Sequence, residues 1–381
     1  MDFTPLKEFM NHITQQVAPG NAVCVYHRNA EVFRYSSGFA DVEDQHPMSE
    51  DALLNIYSCS KPATVVAALQ LVEQGLCRLD DPLYVYIPAY AQMQVMDEGI
   101  LRPAKNTITL RHLFTMQAGM DYDINHPILQ NVRQKTGGQM GTLEVAKALA
   151  QKPLLFEPGT RWNYSLCHDV LAAVVEIVSG QRFQDYMHQN VFLPLGMERV
   201  YYHQTPQLRQ EMAAQYRWEG GADDLVIAQS TGVQNGPGKL TRIGPENAFV
   251  FGPAYDSGGA GVVTSVREYA KLAGAMACHG TGATGNPIIR PQTLELLRQN
   301  QLSSNALRYF DWPQLSGYGY GLGMKTRLTG NHRDIGWGGA AGATIFVDPD
   351  MELGVFYAHH MLNPQESYYQ PLLRQAIYRC I

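Results

Sequence analysis

The sequence has neither a long apolar run nor a block of like charges. No stretch reaches the roughly 18 apolar residues that a membrane-spanning helix needs, so we predict no membrane span. The net charge is −6, and the 29 Lys and Arg residues form no basic cluster. A surface for nucleic acid or for anionic membranes therefore has no support. Over 381 positions, 45% hydrophobic and 17% charged residues predict a globular protein with a sizeable core.

The N-terminus lacks the basic and apolar segments of a secretory signal peptide. Its apolar residues between positions 3 and 17 instead recur at helical spacing. The six cysteines include no Cys-x-x-Cys pair, and such scattered cysteines are expected to be free thiols in a reducing compartment. We therefore predict a cytoplasmic protein, and the sequence leaves its oligomeric state open.

The signatures of several enzyme classes are also missing. No Gly-x-Ser-x-Gly is present, which excludes the nucleophile elbow of α/β-hydrolases. Neither His-Glu-x-x-His nor Gly-x-x-x-x-Gly-Lys-Ser/Thr occurs, so zinc-protease and P-loop chemistry lack their motifs. His359 and His360 are adjacent, and neighbours on a strand point to opposite faces, so they are not expected to share a metal. We predict no metal and no cofactor.

The tetrapeptide Ser58-Cys59-Ser60-Lys61 is present at the start of an apolar helical stretch, residues 62–74. A serine hydroxyl is a poor nucleophile unless a base or a positive field activates it. A lysine three residues later on a helix lies on the same face, one turn away. The pair is therefore a candidate for covalent acyl transfer. The spacing alone also fits a helix that Ser58 caps and from which Lys61 points into solvent.

Short β-type runs lie near both ends of the chain. Residues 23–26 and 31–35 predict a hairpin, and residues 318–328, 342–347 and 354–358 predict further strands. A final amphipathic helix is predicted over residues 366–378.

Helices and loops dominate the middle of the chain, and the Gly-rich stretch 232–261 predicts surface loop. Strands at both ends with helices between them predict an α/β plus all-α fold with one antiparallel sheet flanked by helices. We assign residues 1–79 and 301–381 to a discontinuous α/β domain and residues 80–300 to an inserted, mainly helical domain. The active site is expected in the cleft between the two.

Two further segments are candidates for the same site. Tyr164 lies in a polar loop before a predicted helix, and a phenol near a lysine ammonium can have its pKa lowered and act as base and acid. It also fits a loop tyrosine whose ring is packed. The Gly-rich segment 336–342 would let backbone approach a ligand and donate N–H groups to an oxyanion, or it forms a hairpin turn.

In their order, the three segments resemble the serine β-lactamase and penicillin-binding-protein superfamily. Ser58-x-x-Lys61 fits its first motif. Tyr164-Ser165-Leu166 fits the second, normally Tyr-x-Asn, and Trp337-Gly338-Gly339 fits the third, normally Lys-Thr-Gly. Residues 109–119, 156–159 and 193–197 look like supporting segments of the same superfamily, so the resemblance spans most of the chain.

Two residues differ from the usual second and third motifs and narrow the resemblance to fewer families of the superfamily. Leu166 replaces the Asn that holds a substrate amide, and Trp337 replaces the Lys that attracts a carboxylate. Tyr-Ser-Leu and Trp-Gly-Gly look like the family VIII carboxylesterases and related acyltransferases, which share the class C β-lactamase fold. This resemblance implies a serine carboxylesterase that acts on small-molecule esters, with no nucleic-acid or membrane partner.

The resemblance also implies the roles of individual residues. Ser58 would be the nucleophile, with Lys61 and Tyr164 as the proton-transfer pair, and which of these two is the base stays open. The backbone N–H groups of Ser58 and Ala340 would form the oxyanion hole. Trp337, Gly338, Gly339 and Tyr122 would bind the substrate, although Tyr122 could equally be a packing residue at the rim.

Three alternatives remain at this point. A β-lactamase or D-Ala peptidase would use the same nucleophile, but Leu166 and Trp337 argue against it. An acyltransferase would use the same acyl-enzyme with an alcohol in place of water. A catalytically silent binding protein could share the fold, although Ser58, Lys61 and Tyr164 together weigh against it.

Overall fold

The computed structural model describes residues 1–219 and 239–381. These residues contain helices with the following bounds: α1 Thr4–Gln16, α2 Ser60–Glu73, α3 Leu110–Phe114, α4 Pro127–Lys135, α5 Thr142–Leu149, α6 Cys167–Ser179, α7 Phe183–Met187, α8 Pro206–Glu211, α9 Val266–Ala277, α10 Pro291–Leu297, α11 Ser304–Leu307 and α12 Glu366–Arg379. They also contain these strands: β1 Gly20–His27, β2 Ala30–Asp41, β3 His46–Pro47, β4 Leu54–Asn55, β5 Gln94–Asp97, β6 Ile100–Pro103, β7 Val200–Tyr201, β8 Gln215–Glu219, β9 Lys239–Ile243, β10 Val263–Thr264, β11 Tyr318–Tyr320, β12 Lys325–Arg327, β13 Ile335–Gly338, β14 Thr344–Asp348, β15 Leu353–Ala358 and β16 Met361–Leu362.

An eight-stranded antiparallel sheet is built from both ends of the chain. Its strand order is β11-β12-β13-β14-β15-β1-β2-β3, so the first strand lies beside one of the last. The register pairs Ala22 with Ala358 and His27 with Leu353. The predicted N-terminal hairpin and the antiparallel sheet flanked by helices are therefore confirmed.

Helices cover both faces of this sheet. Side chains alternate along each strand, so neighbouring residues of one strand pack against helices on opposite faces. On β1, Val23 and Val25 pack in a cluster with α1 and α12. Ala22 and Cys24, on the opposite face, belong to the larger core that contains α2, α6 and α9. A strand buried on both faces needs apolar residues at every position, which explains the continuous apolar run at 22–26.

Between the terminal strands, residues 80–300 carry mostly helices and the short strands β5 to β10. The domain boundaries near residues 79 and 301 stay a prediction. None of the described helices is both long and apolar enough to cross a bilayer.

Two sequence-based expectations need correction. Residues 318–328 form two strands, β11 and β12, because the chain turns where the Gly321 N–H donates to the Met324 carbonyl at 2.8 Å. In the Gly-rich stretch, residues 232–238 lie outside the described residues, but residues 239–243 form β9 rather than loop. Strand β9 exists because β8 supplies an antiparallel partner along its full length, which local sequence does not reveal.

Helix α9 lies directly on strand β15 at Gly354. A Cβ at this position would collide with the backbone of Ala273 and Gly274 in α9. The glycine therefore sets the distance between the helix and the sheet.

We expect Gly354→Ala to lower the free energy of unfolding by about 3 kcal/mol, because a helix backbone cannot yield as a side chain can. Urea denaturation followed by circular dichroism measures this loss. Gly99→Ala is the matched control, since Gly99 has φ +83° and nothing within 4 Å of the added methyl group. The control should lose only the backbone strain, about 1 kcal/mol. Equal losses in the two variants would show that α9 does not touch the sheet at Gly354.

Candidate active site

Ser58 lies in a 3₁₀ turn, Tyr57–Cys59, immediately before α2. Tyr57 has φ +46°, a strained value for a residue with a side chain, which costs about 1 kcal/mol. Its phenol donates to Gln215 Oε1 at 2.7 Å, which anchors the strained residue from a distant strand. The turn directs Ser58, which is 9% exposed, away from the apolar core. It also places Ser58 at the positive end of the α2 dipole.

Lys61, on the first turn of α2, is completely buried. Its Nζ lies 3.2 Å from Ser58 Oγ and donates to the Gly259 carbonyl at 2.8 Å. No carboxylate of the described chain lies within ion-pair distance of it. Burial lowers the pKa of Lys61 to about 7, and the charge of Asp169 is the main opposing influence. A substantial fraction of Lys61 is therefore neutral near pH 7 and able to accept a proton.

Asp169, on α6, binds the loop of residues 255–259, whose Gly259 carbonyl accepts a hydrogen bond from Lys61. The sequence analysis did not identify Asp169. The carboxylate is buried and accepts hydrogen bonds from the Tyr255 phenol at 2.6 Å, Ser257 Oγ at 2.7 Å and the Gly259 N–H at 3.1 Å. A Cβ on Gly259 would collide with Asp169 Oδ2, so only glycine fits. One available signal was an acidic residue within the first turn of an otherwise apolar helix.

Tyr164 lies against Lys61, as predicted, but contacts it through the ring. The Lys61 Nζ is 4.7 Å from the ring centroid, and the Tyr164 hydroxyl accepts a hydrogen bond from Trp337 Nε1 at 3.3 Å. Burial raises the pKa of the Tyr164 phenol, and hydrogen bonds with Ser58 and Trp337 lower it by less. The expectation of a lowered phenol pKa is therefore wrong, because desolvation outweighs the nearby amine.

Tyr122 lies closer to the Ser58–Lys61 pair than the sequence analysis expected. Its hydroxyl is 3.2 Å from Lys61 Nζ, and its ring stacks on Tyr164 with centroids 5.1 Å apart. Burial raises the pKa of Tyr122 well above its usual range. It does not line the cavity described below, so its placement differs from the predicted role in the substrate pocket.

The third segment forms a tight turn beside Ser58. Strand β13 ends at Gly338, and the Gly339 N–H donates to the Ala343 carbonyl at 2.8 Å. Within residues 1–219 and 239–381, the backbone N–H groups of Ser58 and Ala340 have no hydrogen-bond acceptor. Two unpaired donors near a nucleophile are what an oxyanion hole requires.

A cavity of about 160 Å³ opens at Ser58. Tyr164, Trp337, Gly338 and Ala340 line it, whereas Gly339 does not and packs against Ile56 instead. The three predicted segments therefore meet at one cavity.

The cavity is also lined by polar side chains that sequence reasoning missed, namely Gln314, Lys325, Glu366 and Gln370. They come from β12, α12 and the 3₁₀ turn before β11, so no local motif connects them.

Comparison of the sequence with known proteins identifies a family and relatives that are consistent with this fold. The family model described as Beta-lactamase matches residues 6–377. Esterase EstB of Burkholderia gladioli is 28% identical over 379 residues, covering 94% of this chain and 90% of that protein. Acyltransferase calJ of Penicillium decumbens is 25% identical over 361 residues, covering 86% and 80%.

Two solved structures have the same fold. EstCE1, described as a hydrolase with promiscuous acyltransferase activity, superposes with TM-score 0.76 at 24% identity, covering 98% of this chain and 97% of that one. A family VIII carboxylesterase gives TM-score 0.74 at 19% identity, covering 100% and 97%. The predicted fold class and the resemblance to the superfamily are confirmed.

The carboxylate of Asp169 should control the protonation of Lys61. The rate at which a fluorophosphonate labels Ser58 should fall below a midpoint near pH 7, as Lys61 becomes protonated. In Asp169→Asn that midpoint should move to lower pH, because the negative charge that favours the ammonium is gone. Smaller influences come from the thiols Cys59 and Cys167 and leave the direction unchanged.

Asp256→Asn is the matched control, since Asp256 is equally buried but pairs with Arg182 and His203 instead. Its midpoint should equal that of the wild type. An unchanged midpoint in Asp169→Asn, or a move to higher pH, would contradict the assignment of Asp169.

Proposed function

The chain belongs to the Beta-lactamase family, and we propose that it is a serine carboxylesterase that cleaves small-molecule esters through an acyl-enzyme on Ser58. The observation that carries the proposal is the 3.2 Å contact between Ser58 Oγ and the buried Nζ of Lys61, at the mouth of a cavity. Relatives named as esterases at 26–28% identity support the reaction class.

In the proposed mechanism, neutral Lys61 accepts the proton of Ser58 as Oγ bonds to the ester carbonyl carbon. The N–H groups of Ser58 and Ala340 stabilise the oxyanion. The Tyr164 phenol, which hydrogen-bonds with Ser58, then gives its proton to the leaving alcohol as the C–O bond breaks. The proton held by Lys61 replaces it by way of the Tyr122 hydroxyl, which lies 3.2 Å from Nζ and hydrogen-bonds with Tyr164. Water attacks the acyl-enzyme by the reverse route and releases the carboxylic acid.

The two pKa directions favour Lys61 as the base, a choice that the sequence left open. Burial lowers the pKa of Lys61 to about 7 but raises that of Tyr164 above its usual range. A neutral amine is therefore accessible near pH 7, whereas a Tyr164 phenolate is costly. Lys61 acts as the base, and Tyr164 acts as a neutral phenol that receives one proton as it gives another.

The residues that replace the amide- and carboxylate-binding groups of β-lactamases favour esters. Leu166 is buried at the start of α6, and its backbone N–H donates to the Asp121 carbonyl. Its apolar side chain offers no amide group to a substrate. Trp337 uses its indole N–H to hold Tyr164. Poor turnover of nitrocefin beside short esters is expected.

Transfer of the acyl group to an alcohol is a second candidate function. Relatives named as acyltransferases, such as that of Penicillium decumbens, support it. The chemistry is the same until the acyl-enzyme forms, and only the acceptor differs. Product analysis with a competing alcohol separates hydrolysis from transfer.

Ser58→Ala should abolish the turnover of p-nitrophenyl esters, because the acyl-enzyme cannot form. Cys59→Ala is the control at the neighbouring position, since burial raises the pKa of the Cys59 thiol and makes it unreactive. This control should keep its turnover. Circular dichroism verifies that both variants fold. Full activity in Ser58→Ala would refute the proposed function.

Tyr164→Phe should lower kcat about a hundredfold or more, because the proton path to the leaving alcohol is lost. The ring and its packing remain, so the fold should be kept. Tyr122→Phe removes a hydroxyl that contacts Lys61 and hydrogen-bonds with Ser58 and Tyr164, but Tyr122 does not line the cavity where the leaving alcohol would lie, so this change should cost less. A larger loss in Tyr122→Phe would instead assign the proton relay to Tyr122.

A further inference from the structure

We propose that Lys325 and Glu366 form a substrate-binding subsite that selects esters carrying an uncharged hydrogen-bonding group, such as an amide or a hydroxyl. This inference rests on the proposed esterase function. It concerns the polar side chains of the cavity wall that none of the three motif segments supplies.

Lys325 contributes an ammonium group to the cavity that opens at Ser58. It lies on β12 and is 8% exposed, and its Nζ donates to Gln370 Oε1 at 2.8 Å. Its ammonium also lies 4.9 Å from the Tyr318 ring centroid. No carboxylate of the described residues is within ion-pair distance, so N–H donors remain for a ligand.

Glu366 contributes an acceptor to the same cavity. It begins α12, and its Oε2 accepts a hydrogen bond from Gln314 Nε2 at 2.9 Å. No cation of the described chain forms an ion pair with it. Gly338 provides the room for it, because a Cβ there would lie 2.9 Å from Glu366 Oε1 and 2.7 Å from Gln370 Nε2. The subsite is therefore adjacent to the turn that carries the Ala340 N–H, one of the two oxyanion donors.

Lys325 and Glu366 are not paired with each other within ion-pair distance, which distinguishes them from a structural salt bridge. A buried ammonium and a half-buried carboxyl group, neither with a charged partner in contact, are unfavourable for the fold alone. Burial raises the pKa of Glu366 to about 7 and lowers that of Lys325 to about 8. Neither the Lys325 amine nor the Glu366 carboxyl group is therefore well solvated in the cavity.

The opposite charges decide which ligand group fits. A carboxylate attracted to Lys325 would be repelled by Glu366, and an ammonium group would meet the reverse. An amide or hydroxyl can accept a hydrogen bond from Lys325 and donate one to Glu366. The rest of the wall includes Trp312, Leu315 and Trp337, so the substrate would be otherwise apolar.

The test compares p-nitrophenyl esters of equal chain length. N-acetyl-β-alanine supplies an amide, hexanoic acid supplies an alkyl chain, and the monoester of glutaric acid supplies a carboxylate. Homologues one atom shorter and longer allow for the depth of the cavity. A matched panel with the amide in the alcohol part covers the other orientation of the ester.

In the wild type, kcat/KM should be at least about tenfold higher for the amide ester than for the matched alkyl ester in one of the two panels, with the amide in the acyl part or in the alcohol part. Lys325→Met and Glu366→Met should each remove most of that preference, because kcat/KM falls much more for the amide ester than for the alkyl ester. Arg327→Met is the control, because Arg327 lies on the same strand but does not line the cavity at Ser58. It should leave the preference unchanged.

The same preference in wild type and both variants, for both orientations, would overturn the subsite. Preference for the glutarate monoester would also overturn it, in favour of an anion site at Lys325. Intact turnover of the hexanoate ester with no amide preference would leave the esterase proposal standing. If no ester is turned over, ligand-observed NMR with N-acetyl-β-alaninamide and hexanamide still tests the subsite, and equal binding of the two would refute it.

Discussion

The site depends on the burial of one amine without a counter-ion. An ammonium group removed from water loses several kcal/mol of solvation, so the neutral form gains population. Lys61 tolerates this position because a carbonyl of the Gly259 loop, the Tyr122 hydroxyl and the Tyr164 ring supply weak partners in place of a carboxylate. Asp169 acts from one step further away and limits how far the pKa of Lys61 falls.

The fold brings distant segments to that amine by close backbone contacts. The Gly339 backbone, next to the turn that holds Ala340, lies against the Ile56 carbonyl, two residues before Ser58. Strand β13 therefore fixes the oxyanion turn against the Ser58 turn. Helix α6 positions Asp169 from the other side, so both the sheet and the helical region contribute to one site.

The sequence was most informative where chemistry is local. The spacing of Ser58 and Lys61, the hairpin at residues 23–35 and the glycines after Trp337 are all readable from adjacent residues. Asp169, Lys325 and Glu366 were not identified, because their importance arises from contacts with residues 45 or more positions away. Tyr122 was recognised as a candidate, but its contact with Lys61 joins a loop to helix α2, and no local pattern encodes that packing.

The pairing of β1 with β15 also has a consequence for biosynthesis. The partner of strand β1, residues 353–358, is made some three hundred residues after β1 itself. The turn that holds Ala340 is likewise translated long after Ser58. A growing polypeptide therefore carries Ser58 in an unassembled site, and with the proposed function it gains reactivity only after the turn that holds Ala340 has been made.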